Sequence, residues 1–124
     1  MNQSTQNYKD LIVWQKGIEL ARAVYALTRK FPNEEKFGLT SQLRRAAVSI
    51  PSNIAEGQAR RTTPDFINFI SHAEGSAAEL DTQIILAVEL KCCVKADALP
   101  IYELNDAIRR MLNALRRKLG ARTN

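Results

Sequence analysis

The sequence has little cysteine, glycine, proline or aromatic character. Its two cysteines, Cys92 and Cys93, are adjacent, and such a pair bridges poorly because a disulfide would strain the peptide between them. No set of spaced cysteines therefore suggests an oxidising compartment. Five glycines and four prolines are too few for a turn-rich β fold, whereas helix formers such as alanine, leucine and arginine are abundant. These shortages favour an all-α protein.

Long apolar runs are also missing. No stretch approaches the roughly 20 apolar residues that a membrane-spanning helix needs, and the polar residues 1–6 lack the apolar run of a signal peptide. We therefore expect a cytoplasmic protein without a membrane partner. The 124 residues fit one domain, residues 1–124, with its core over residues 8–120 and short termini prone to disorder.

Apolar residues recur at helical spacing in the first half of the chain. A first helix is predicted over residues 9–30, and it ends before Pro32 because the residue preceding a proline avoids the α region. A second is predicted over residues 39–61. Pro51 lies inside this segment and removes one backbone hydrogen bond, so we predict either a kink there or two helices that meet.

The second half of the chain has two further helical patterns. The third helix is predicted to begin with Thr63 as its N-cap and to run to about Cys93. The fourth is predicted to open near Asp97 and to close at Gly120, a natural C-terminal cap. Four helices with short connections predict an up-down-up-down antiparallel four-helix bundle, with its second helix kinked at Pro51.

The net charge of +5 is distributed unevenly. The third helix is acidic and the other three are basic, which permits two interpretations. The acidic helix can pair with basic neighbours inside the bundle or across an oligomer. Alternatively, the surplus cations can form a surface that contacts the phosphates of RNA or DNA without reading bases. The candidate contacts are Arg60, Arg61, Arg109, Arg110, Arg116, Arg117 and Lys118, with Arg122.

Polar residues accompany the apolar stripes of the second and third helices at helical spacing. The two lines are Ser49, Asn53 and Glu56, and His72, Ser76, Glu79 and Gln83. We interpret them as a hydrogen-bonded network, with ion pairs such as Arg45 with Glu56 or Glu79, that fixes helix register or a subunit contact. The residues assigned to this network are Arg45, Ser49, Asn53, Glu56, Ser76 and Glu79.

Nothing in the sequence indicates an enzyme. A metal site or acid/base pair would have to combine His72, Glu56 and Glu79, but di-metal bundles use Glu-x-x-His on two helices. Here Phe69 stands three residues before His72, the only histidine. Gly-rich phosphate loops and Gly-x-Ser-x-Gly elbows are also missing. We therefore predict no catalytic residue, no metal and no cofactor.

The second helical segment carries a family resemblance. It reads LTSQLRRAAVSIPSNIAEG over residues 39–57 and closely resembles the signature of a bacterial family named for proteins encoded in intervening sequences of 23S ribosomal RNA genes. Further stretches that fit the family are Tyr8-Lys9-Asp10-Leu11 with Trp14 and Lys16, Phe31-Pro32, and Glu74-Gly75-Ser76 with Glu79-Leu80. The resemblance covers roughly residues 8–119.

The resemblance implies a closed bundle and, as in related proteins, a ring-like homo-oligomer, with a homopentamer favoured. It implies no enzyme activity and offers no catalytic residues to carry over. A distantly similar group serves as accessory factors of diversity-generating retroelements and binds nucleic acid and a reverse transcriptase. Two functions stay open. One is a bundle that holds an RNA or DNA backbone, and the other is a protein-interaction scaffold or accessory subunit without nucleic-acid contact, with Asn53 and Gly75 at its interfaces.

Overall fold

Four helices form almost the whole of the architecture. The computed structural model describes residues 7–123, with side chains described as far as residue 121. The helices are α1 (Ile12–Thr28), α2 (Leu39–Gln58), α3 (Thr63–Glu89) and α4 (Lys95–Thr123). Short 3-10 turns cover Tyr8–Asp10 and Asn33–Glu35, and no strand occurs in residues 7–123. The predicted all-α, four-helix fold is confirmed.

Each helix buries one apolar face in a shared core. Residues such as Leu20 of α1, Ile50 of α2, Leu80 of α3 and Leu112 of α4 are fully buried there. Each helix packs against the next in the chain, and α4 returns to α1. Buried polar residues accompany this core, and Asn105 is the most deeply buried of those described. It donates from Nδ2 to the Ala77 carbonyl oxygen at 2.9 Å and thereby ties α4 to α3.

Contacts between successive helices run in opposite chain directions. From α1 to α2 they include Gly17 with Pro51 and Thr28 with Arg44. From α2 to α3 they include Gln42 with Gln83, Ser49 with Ser76, and Gly57 with Phe69. From α3 to α4 they include Glu74 with Arg116 and Asp81 with Arg109. Each helix is therefore antiparallel to the one before it.

Pro51 lies within a continuous α2, so the alternative of two separate helices meeting there is wrong. The kink at this residue stays a prediction. Pro51 is buried against α1 at Gly17, where an added Cβ would lie 3.3 Å from the Cβ and Cδ atoms of the proline. The lack of a side chain at Gly17 thus makes room for the proline ring.

Several predicted helix ends are wrong by a few residues. The N-cap of α3 is Thr62, whose hydroxyl accepts from the Asp65 backbone N–H at 3.2 Å, and so the helix begins one residue earlier. It ends at Glu89 because Lys91 adopts a φ of 64°, in the left-handed region. The Cys92 N–H then donates back to the Ala87 carbonyl at 2.8 Å, which closes the helix end.

The limits of α4 also differ from the predicted ones. The helix begins at Lys95, since the Val94 carbonyl accepts from the backbone N–H groups of Asp97 and Ala98 at 3.1 and 3.2 Å. It then continues through Gly120 to Thr123, and no described glycine has a positive φ. Gly120 is thus an interior helix residue, because a glycine ends a helix only where the backbone turns left-handed.

Candidate interaction surfaces

Most of the predicted phosphate-binding arginines are already engaged by carboxylates. The ion pairs are Arg60 with Glu56 at 3.2 Å, Arg109 with Asp81 at 3.7 Å, Arg110 with Asp106, and Arg116 with Glu74 at 2.7 Å. Arg61, Arg117 and Lys118 form no ion pair among the described residues. The side chain of Arg122 lies outside the described ones. The structure therefore divides the predicted phosphate-contacting residues into those held by a carboxylate and those without such a partner.

One of these ion pairs ties α4 to α3 through two hydrogen bonds. Arg116 donates from Nε to Glu74 Oε1 at 2.7 Å and from a terminal nitrogen to Oε2 at 3.4 Å. The hydrogen bond to Glu74 and its charge raise the pKa of Arg116. Together with the Arg109–Asp81 pair, this contact uses acids of α3 to hold bases of α4. These two pairs match the interpretation in which the acidic helix pairs with a basic neighbour inside the bundle.

Part of the predicted polar network forms across the α2–α3 junction. The Ser49 and Ser76 hydroxyl oxygens lie 2.7 Å apart, and Asn53 donates from Nδ2 to the Ser49 hydroxyl at 2.9 Å. Glu56 is exposed and pairs with Arg60 instead of with α3. Of the predicted network, Ser49, Asn53 and Ser76 are therefore joined by hydrogen bonds in a small hydroxyl–amide cluster.

Arg45 and Glu79 stand apart from this cluster. Both are exposed, and Arg45 forms neither of the ion pairs predicted for it among the described residues. They line a pocket at the α2–α3 junction whose walls include Gln42 and Gln83. Gln83 donates from Nε2 to Gln42 Oε1 at 3.4 Å, while its own buried Oε1 has no hydrogen-bond partner among the described residues. Sequence reasoning missed Gln42, although it stands seven residues before Ser49 and thus on the same face of α2.

A groove beside α2 is the main feature that sequence reasoning missed. Phe37 lines it with 91% of its surface exposed, and Val48, also in its lining, is 42% exposed. The groove has a volume of about 590 Å³, and none of its lining residues is acidic. We call it the basic groove, and it is lined by Tyr25, Lys36, Phe37, Thr40, Ser41, Arg44, Arg45, Val48 and Ser49.

Two cations of the basic groove are held beside its aromatic rings. The Arg44 guanidinium lies 4.4 Å from the centroid of the Tyr25 ring, and its Nε donates to the Thr28 hydroxyl at 2.8 Å. The Lys36 ammonium lies 5.6 Å from the centroid of the Phe37 ring. Cation–π contacts of this kind keep positive charge beside apolar surface. The sequence signal for the groove is Phe37, a large aromatic residue directly after the charged residues Glu34, Glu35 and Lys36.

A second exposed apolar surface lies on α3. Ile85 and Leu86 are 46% and 45% exposed, and Glu79 and Glu89 beside them form no ion pair among the described residues. We call these four residues the acidic α3 face. Because α3 contains no lysine or arginine over its whole length, no cation of this helix offsets their negative charge.

No catalytic arrangement is found among residues 7–121. No group of three or more histidine, cysteine or acidic side chains there could hold a metal ion. His72 is exposed on α3, with its ring centroid 5.9 Å from that of Phe69. Burial raises the pKa values of the Cys92 and Cys93 thiols, which disfavours the thiolate that a nucleophile requires. No helix in the described part of the chain is both long and apolar enough to cross a membrane.

Comparisons with known proteins agree with the fold. A family model described as 23S rRNA-intervening sequence protein matches residues 9–114. A crystal structure described as a protein with unknown function from the S23 ribosomal protein family of Bacteroides thetaiotaomicron VPI-5482 is similar, with 25% sequence identity and a TM-score of 0.79. The similarity covers 85% of this chain and 98% of that one. No curated protein matches the chain.

Proposed function

The chain belongs to the 23S rRNA-intervening sequence protein family, and within it we propose that the protein is a non-catalytic, homo-oligomeric, cytoplasmic bundle that serves as a protein-interaction scaffold. One observation carries the proposal: large apolar side chains remain exposed on two surfaces of opposite charge. Phe37 and Val48 lie in the basic groove, and Ile85 and Leu86 lie on the acidic α3 face. Exposed apolar patches of this kind mark sites of protein interaction.

A homopentameric ring is the assembly that the sequence resemblance implies, and we propose it here. Sedimentation equilibrium or light scattering at tens of micromolar protein tests it directly. The expected mass is near five times the 13.9 kDa of one chain. Another integral multiple would correct the ring size, whereas the mass of one chain across the concentration range would contradict the scaffold proposal.

Binding of an RNA or DNA backbone is the second candidate. It is favoured by three of the predicted contact residues that have no carboxylate partner among the described residues, Arg61, Arg117 and Lys118. Arginines held in ion pairs would have to exchange a carboxylate for a phosphate, which lowers the gain from binding. The surface available for phosphates is therefore smaller than the sequence predicted.

A salt titration with a fluorescent RNA oligonucleotide tests this second function. Contacts with phosphates require the binding constant to fall steeply as salt rises. The triple replacement of Arg61, Arg117 and Lys118 by alanine should weaken binding and flatten the salt dependence. Arg110→Ala is the control, because its charge is already paired with Asp106. Absence of binding at low salt, or binding that ignores salt, would contradict this function.

A further inference from the structure

We propose that the basic groove of one copy receives the acidic α3 face of a second copy. The inference rests on the homo-oligomeric state proposed above and assigns its contact surfaces. The two surfaces share no residue, although Arg45 of the groove and Glu79 of the α3 face line one pocket where the surfaces adjoin. The contact is therefore heterologous, and each copy uses one surface toward each neighbour. A heterologous contact builds a ring when its rotation closes.

Charge is the first reason to match these surfaces. The groove contributes Lys36, Arg44 and Arg45 and has no acidic residue in its lining. The α3 face contributes Glu79 and Glu89, and α3 has no lysine or arginine. Within one chain, Arg45 and these two carboxylates form no ion pair among the described residues. Bringing the surfaces together pairs opposite charges, whereas two grooves or two α3 faces would repel each other.

Apolar surface is the second reason. Two apolar residues of the groove lining are exposed, Phe37 over 91% of its surface and Val48 over 42%. Ile85 and Leu86 offer apolar side chains of suitable size on a helix. An aromatic anchor and aliphatic side chains that become buried together are typical of the centre of an interface, with charged residues at its rim.

Position along the bundle is the third reason. Gln42 contacts Gln83 and Ser49 contacts Ser76, so the groove and the α3 face lie at the same height on one subunit. Neighbouring copies with parallel bundle axes therefore bring groove and face to the same level without sliding. A planar ring needs this alignment, since a vertical offset at each contact would build an open helix instead.

Two single substitutions separate the surfaces. Val48→Glu places a negative charge in the groove, where it would repel the incoming α3 face. Ile85→Lys places a positive charge on that face, where it would repel the groove. Both residues are partly exposed, so the monomer fold should be retained, as circular dichroism can verify. Leu99→Asp, at an α4 residue that is 47% exposed, is the matched control for adding charge at an apolar surface position.

The mass of each variant and of their equimolar mixture, measured by light scattering, tests whether the two surfaces meet. Each variant alone should be monomeric, and the mixture should associate to at least a dimer near twice 13.9 kDa, because one intact groove still meets one intact face and the two substituted surfaces carry opposite charges. Leu99→Asp should keep the wild-type mass. Variants that stay fully oligomeric, or a mixture that stays monomeric, would overturn this assignment of contact surfaces. In either case an oligomeric wild-type protein would still support the proposed function. If Val48→Glu loses RNA binding but keeps the oligomer, this assignment is also overturned, because the groove then binds a polyanion and not the α3 face. A monomeric wild type would overturn both.

Discussion

Helix α2 packs tightly against α3 at Gly57, and this contact leads to a specific prediction about stability. A Cβ atom at this position would lie 2.6 Å from Phe69 Cβ and 3.0 Å from Phe66 Cδ1. Ordinary carbon–carbon contacts lie at about 3.5–4.0 Å, so Gly57→Ala requires the two helices to move apart by about 1 Å. The neighbour is the root of the Phe69 side chain, and a change of rotamer cannot move it away.

Two opposing terms give the size of the effect. Overpacking of this kind costs about 1–3 kcal/mol, and a clash against a Cβ atom belongs at the upper end of that range. Alanine recovers about 1 kcal/mol over glycine inside a helix. We therefore expect Gly57→Ala to lower the free energy of unfolding by about 1–2 kcal/mol, which is a fall in melting temperature of about 4–8 °C for a chain of this size.

The same substitution elsewhere on the bundle provides the controls. At Gly75 an added Cβ meets nothing within 4 Å, so Gly75→Ala should raise the stability by about 0.5–1 kcal/mol. Gly17→Ala, whose Cβ would lie 3.3 Å from Pro51, should fall between the two. Urea denaturation of dilute protein, with the mass of each variant checked by light scattering, measures all three. Equal stability changes at Gly57 and Gly75 would refute the reasoning from close approach.

Three other expectations follow from named contacts. Lys91→Gly should stabilise the protein by about 0.5–1 kcal/mol in urea denaturation, since glycine adopts the φ of 64° without steric cost. Ser49→Ala and Ser76→Ala should show coupling of about 1 kcal/mol in a double-mutant cycle, and additive effects would contradict their hydrogen bond. Because burial raises the pKa of Cys92 above its ordinary 9.0, the folded state holds this proton more tightly. Stability should therefore decline as pH rises above 9, and Cys92→Ala should flatten that decline in a pH series of thermal melts.

The sequence predicted the helices well because apolar spacing decides which residues enter the core. Ile50 and Ile54 stand four residues apart in the second helical segment, as one apolar face of a helix requires, and both are fully buried. Helix ends were predicted less well because single residues decide them. Lys91 ends α3 through a left-handed backbone, which spacing does not encode, and Gly120 fits a helix interior as readily as a cap.

The candidate surfaces were harder to predict because they depend on neighbours distant in sequence. Counting charges along each helix treats Arg116 as an unpaired cation, but Glu74 of α3 forms an ion pair with it at 2.7 Å. Ser49 and Ser76 could be matched from their helical positions, and they do meet. The basic groove combines residues of α1, the first loop and α2, and no local pattern reports such a combination.

The short link between α2 and α3 has a consequence for how the chain folds. Residues 59–62 alone join these two helices, whereas residues 29–38 join α1 to α2. Closing a short loop costs less entropy than closing a long one, and α2 and α3 also share the most extensive helix packing. We expect this hairpin to form early in refolding and α1 to dock late. Gly57→Ala should then slow refolding, while substitutions in α1 should chiefly speed unfolding.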